Sequence, residues 1–119
     1  MRLQPRPSYF MSPGFIASYK LPGKEYKAKN IIEQVADFYD AESRKLKWKT
    51  RKREIVIPRQ VAIYLIRSYT TLTLKKIGRL FNRDHTSVMH AITVVQDLMK
   101  TDQDYKRKIQ HLTNIILEM

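Results

Sequence analysis

From residue 29 onward, apolar positions recur at helical spacing. Ile31, Ile32, Val35, Phe38 and Tyr39 predict a first helix, which Asn30 can cap. Val61, Ala62, Leu65, Ile66 and Tyr69 form the inward stripe of a second, with Pro58 in its first turn, where no amide hydrogen is missed. Thr73 can cap a short helix through Leu80, with Leu74, Ile77 and Phe81 inward. Asn82 and Arg83 make a turn, and Asp84 caps a helix from His85 to Lys100 whose Val88, Ala91, Ile92, Val95 and Leu98 face the core. Asp102 starts a final helix, where Tyr105, Ile109, Leu112 and Ile116 follow a 4-3-4 spacing. Strand signals are weak. Arg53 to Ile57 (REIVI) is short and apolar, and Pro58 ends it. No repeat is evident, and the pattern predicts an all-α bundle.

The amino-terminal quarter differs. Residues 1–28 hold Pro5, Pro7, Pro13 and Pro22, with Gly14 and Gly23, residues that oppose regular structure. They are read as an irregular arm ahead of one domain over 29–119. Tyr9, Phe10, Phe15 and Tyr19 are more than a solvated linker needs, and they can pack on the domain or on a partner.

Charge sharpens the picture. The chain of 119 residues carries a net charge of +12, which favours polyanionic partners. Residues 1–28, 29–60 and 61–90 each contribute +4, whereas residues 91–119 are neutral. The last helix is therefore expected to support a binding face built by what precedes it. Arg44 to Arg53 (RKLKWKTRKR) contains seven basic residues and no acid. Lys45, Lys47, Lys49, Arg51, Lys52 and Arg53 form a basic loop, in which Lys suits phosphate and Arg also suits a narrow minor groove. A run of this kind is usually a solvated surface. Its place just upstream of a groove-shaped element favours function. Trp48 can stack on sugar or base, though packing onto the helices is the stronger expectation.

That element is Thr73 to Ala91, which fits a helix-turn-helix with its second helix entering a major groove amino end first. Gly78 allows close packing of the second helix on the first. Arg83, Asp84, His85, Thr86 and Ser87 lie at the entering end. Asp can accept from a cytosine amino group, and the Thr methyl can touch a thymine methyl. An Asp at a helix start is also an ordinary cap, and the pentapeptide alone does not separate the two readings. His90 can equally bond phosphate or support the fold.

Other classes find little support. There is no cysteine, hence no disulfide or thiolate metal site, which suits a cytoplasmic protein. His85 and His90 are five apart, off the spacing of paired metal ligands on a helix face. No phosphate-cradling glycine loop is present, and Glu33, Asp37, Asp40 and Glu42 are spaced as a solvated helix face. No enzyme, metal, cofactor or small-molecule substrate is expected. No apolar run approaches a membrane span, and MRLQPRPSYF does not read as a signal peptide.

Pro58-Arg59-Gln60-Val61-Ala62, Leu74-x-x-Ile77-Gly78-x-x-Phe81 and Arg83-Asp84-His85-Thr86-Ser87-Val88-x-His90-Ala91 closely resemble the C-terminal DNA-binding domain of the bacterial replication initiator DnaA. The resemblance runs from about Lys29 to Ile116. It implies an all-α, Trp-repressor-like helix-turn-helix that reads a box of the TTATCCACA type. By that resemblance Arg51 matches the arginine that enters the minor groove, and Asp84, His85 and Thr86 match the major-groove readers. Ser87 takes a Thr-type position that touches base or phosphate. Arg67, Thr70, Leu74 and Lys75 match positions near the DNA backbone, and Arg59 and Gln60 match the helix start beside the phosphates. Lys49, Lys52, Arg53, Arg83 and His90 complete the expected backbone contacts.

The sequence also departs from the family. A single Asn82 stands where two glycines are usual, so the turn is one residue shorter. Trp48 and Thr50 interrupt the basic run, and Lys75-Lys76 replaces a pair that often includes Pro and an acid. The family's ATPase module has no counterpart in these residues. The expectation is a nucleoid-associated, double-stranded-DNA-binding module acting in replication control or transcription, in a bacterium or on a mobile element, with its oligomeric state open. The alternative is a basic adaptor that meets RNA, acidic protein or anionic membrane without sequence preference.

Overall fold

A computed structural model describes residues 27–119. The expected arm lies outside the described residues except for its last two positions, and Ala28 already belongs to a helix. The elements are α1 (Ala28–Phe38), a 3-10 helix (Ser43–Lys47), α2 (Arg53–Tyr69), α3 (Leu74–Leu80), α4 (His85–Thr101) and α5 (Gln103–Leu117). No strand occurs among the described residues.

α2 is the central element. Val61, Ala62, Leu65 and Ile66 are buried as the spacing predicts, and Ile63, Tyr64 and Ser68 are buried as well, so this helix is enclosed on most sides. It packs against α1, the 3-10 helix, α3 and, most extensively, α4. α5 lies across α1 and α4, with Ile109, Leu112 and Ile116 turned inward. The small helix α3 meets only α2 and α4 in any extent. One apolar core, including Ile31, Leu46, Ile77, Phe81 and Val95, therefore carries the whole bundle.

Four expectations need correction. α1 starts at Ala28, with Lys27 at the cap position and no side-chain cap, so Asn30 lies inside the helix. Ala28 packs on the core, and this extends the helix back past the polar residue. α2 starts at Arg53, so the REIVI segment is helical and Pro58 sits inside the helix. Pro58 cannot donate to the carbonyl four residues earlier. Ile55, Pro58 and Ala62 are all buried at helical spacing, and this packing outweighs the lost bond. Leu98 is exposed, because the buried line of α4 runs Val88, Ile92, Val95 and on to the partly buried Met99. Trp48 is 50% exposed instead of packed on the helices.

Candidate nucleic-acid interface

The turn between α3 and α4 is built by backbone hydrogen bonds. α3 begins at Thr73, whose hydroxyl accepts from the Lys76 amide, and ends at Leu80. Asn82 then takes a left-handed φ of 56°. Its amide donates to the Arg79 carbonyl at 3.4 Å, and the Arg83 amide donates to the Gly78 carbonyl at 2.8 Å. This is the paired-bond ending that a left-handed residue permits, and Asn tolerates that conformation better than most residues. A single asparagine thus makes the tight turn for which the family usually has two glycines. Gly78 is required beneath it, since a Cβ there would lie 2.3 Å from the Arg83 carbonyl oxygen.

Asp84 follows at once as the cap of α4. Its carboxylate accepts from the Ser87 amide at 2.8 Å. That bond, with one from the Ser87 side chain, holds the carboxyl below the usual carboxylate range. Asp84 is therefore ionised at neutral pH and exposed at the helix start. His85, Thr86, Ser87 and His90 are exposed, and Val88, Ala91 and Ile92 anchor the same helix in the core. A first turn with exposed polar side chains on a buried base can offer acceptors, hydroxyls and a methyl group to a groove.

The basic loop is fixed from beneath by Arg59. This residue is only 5% exposed. Its Nε donates to the Leu46 carbonyl at 2.9 Å, and its Nη atoms donate to the carbonyls of Trp48 and Thr50. Burial and then the neighbouring Arg83 guanidinium pull its pKa down. Arg59 was expected beside phosphates; its fork is turned inward onto the loop. The hydroxyl of Thr50 accepts from the Lys52 amide at 3.3 Å, just ahead of α2. Lys49, Arg51, Lys52 and Arg53 are left exposed around these anchors.

Loop and turn are joined across 35 residues of sequence. The Asn82 side-chain amide reaches the Lys47 carbonyl at 3.4 Å, and Arg83 Nη2 reaches the Trp48 carbonyl at 3.5 Å. Both bonds are long, and together they set the basic loop beside the start of α4. Arg83 is half-buried, with Nε enclosed and unpartnered.

The remaining predicted residues fall into two groups. Arg67, Leu74, Lys75 and His85 come together, with Thr73, around a shallow depression of about 360 Å³ at the mouth of the helix-turn-helix. Arg67 also donates to the Leu72 carbonyl at 3.1 Å. Thr70 is buried, its hydroxyl donating to Ile66 and accepting from Leu72, so it shapes the α2–α3 connection from within. Gln60 is half-buried on α2. The sequence reading missed the part played by the Asn82 side chain and the exposure of Trp48. An asparagine in a glycine position was the available signal for the first. Among the described residues no group of acids and histidines could hold a metal, and no helix is long and apolar enough to cross a membrane.

Comparison with known proteins agrees with this geometry. The family described as "Bacterial dnaA protein helix-turn-helix" matches residues 28–95. The chain is 46% identical over 90 residues to the chromosomal replication initiator protein DnaA of Oenococcus oeni, covering 75% of this chain and 20% of that protein. It is 45% identical over 87 residues to the DnaA of Lactobacillus acidophilus, covering 72% and 19% respectively. With the DnaA of Limosilactobacillus reuteri it shares 41% identity over 104 residues, 82% of this chain and 24% of that one. The chain thus spans about a fifth to a quarter of these relatives, a share that contains the α3–α4 turn and the basic loop, and it belongs to the family of bacterial DnaA helix-turn-helix domains.

Proposed function

We propose that this chain binds double-stranded DNA sequence-specifically at DnaA-box-like sites and acts in the initiation or control of replication, or in transcriptional regulation, within the nucleoid. α4 enters the major groove amino end first, where Asp84, His85, Thr86 and Ser87 read base edges. Arg51 enters the adjacent minor groove. Lys49, Lys52, Arg53, Lys75, Arg67 and His90 contact phosphates and supply most of the affinity. Arg59 and Thr70 position the loop and the α2–α3 connection and do not touch DNA themselves.

The observation that supports this reading is that Asn82 and Arg83 make long hydrogen bonds to the loop carbonyls of Lys47 and Trp48, which puts the basic loop beside the start of α4. The names of the relatives, chromosomal replication initiators, support the replication role. The test is competition between box-containing and scrambled duplexes at physiological salt. A preference of about several hundred-fold is expected, in the range of specific over non-specific sites. Equal binding to both would replace this reading with that of a basic adaptor.

A further inference from the structure

Trp48, the protein's only tryptophan, presents a large apolar ring to solvent in the middle of its most basic segment. Its main chain is anchored on the fold. The Trp48 amide donates to the Lys45 carbonyl at 3.0 Å, and its carbonyl accepts from Arg59 and Arg83. The main chain is pinned on both sides, and half of the residue's surface remains open to solvent. Lys45 Nζ lies 5.5 Å from the ring centroid and is itself held by Glu42 at 2.8 Å. Lys47 and Lys49 flank Trp48 in the sequence and are exposed.

A half-exposed indole with one ammonium over it and an exposed lysine on either side in the sequence fits a surface whose charged and apolar parts alternate at close range. The backbone of duplex DNA has this character, with a phosphate on either side of each deoxyribose. Resting on the DNA-binding reading above, we infer that Trp48 is a DNA-contacting residue whose indole packs on a deoxyribose beside the groove entered by Arg51, with Lys47 and Lys49 on the neighbouring phosphates. Such a contact carries no base code. It raises affinity on every sequence alike and adds nothing to the salt dependence, because no charge is involved.

The test uses the full chain and a fluorescently labelled box duplex. Label anisotropy reports binding, and acrylamide quenching of the single tryptophan reports shielding in the same samples. Saturating duplex is expected to cut the quenching constant clearly. Trp48→Ala should weaken binding about five- to tenfold, equally on box and scrambled duplexes and with an unchanged salt slope, whereas Trp48→Phe should keep most of the affinity. Because the ring is exposed, thermal melts of both variants should match the parent. Binding by anisotropy with unchanged quenching, or Trp48→Ala binding like the parent, would overturn the assignment while leaving the DNA-binding reading intact. Shielding by single-stranded but not duplex DNA would overturn it in favour of base stacking. If the parent gives no anisotropy change with any duplex, the DNA-binding reading fails and this inference fails with it.

Discussion

Removing Arg59 is expected to loosen the basic loop without removing a phosphate contact. The guanidinium serves three carbonyls, those of Leu46, Trp48 and Thr50, and the bond to Leu46 is buried. A buried acceptor that loses its donor costs about 1–3 kcal/mol, and a part-buried one that water can reach costs less. Counting Leu46 at about 2 kcal/mol and the other two at about 0.5 kcal/mol each gives about 3 kcal/mol for Arg59→Met, which keeps the packing volume of the stem. Arg59→Lys should recover under half of this, because one ammonium cannot reproduce a planar fork. Urea unfolding followed by circular dichroism measures the loss. Duplex titrations over a range of salt concentrations measure the second consequence. With Arg59 facing inward, Arg59→Met should weaken binding through loop disorder, and the slope of log affinity against log salt should stay the same. An unfolding free energy within about 0.5 kcal/mol of the parent, together with a slope reduced by about one, would refute the reasoning and return Arg59 to the phosphates.

Other expectations follow from the same geometry. Gly78→Ala places a methyl group against the Arg83 carbonyl, where backbone must move, so it should destabilise by about 1–3 kcal/mol despite alanine's better helix propensity; Arg79→Ala is the control, and thermal melts decide. Arg51→Ala should cost about 1–3 kcal/mol of binding at boxes with a narrow A·T minor groove and much less elsewhere, whereas Lys49→Ala should weaken all duplexes alike and lower the salt slope by about one. Asp84→Ala or Thr86→Ala should flatten the preference for cognate over scrambled sites in competition titrations; equal loss on every sequence would count against their assignment as readers. The folded-state pKa of Asp84 is depressed, so its capping contribution is complete above the unfolded value of about 3.9 and is lost as pH falls through the lower folded value. An NMR titration of the Asp84 carboxyl should show that low midpoint, with the Ser87 amide losing protection over the same range.

Most of the bundle could be read from spacing, because helix faces and cap residues are local signals. Thr73, Asp84 and Asp102 all accept from the amide three residues on, as their positions suggested. The misreadings came where a distant surface outweighed local preference. Pro58 marks a first turn by its own chemistry, yet the burial of Ile55 one turn earlier draws the helix back to Arg53. Leu98 is as apolar as its neighbours, and only the line through Val95 and Met99 shows which of them meets the core. The exposed candidates were legible because a polar residue at the start of a capped helix has few places to go. Arg59 was not. Its type says charge, and only the three carbonyls waiting beneath it turn that charge inward. The sequence also could not reveal that residues 47–48 and 82–83 meet, since nothing local links them.

One acceptor, the Trp48 carbonyl, takes hydrogen bonds from both Arg59 and Arg83. This sharing couples the position of the loop's main chain to that of the turn and of α2. A substitution that reshapes the loop for a new flank also disturbs the seat of the turn, and the reverse holds as well. Exchanging the side chains at 47 and 48 alone leaves both carbonyl acceptors in place, so only a change that moves the loop's main chain is felt at the turn.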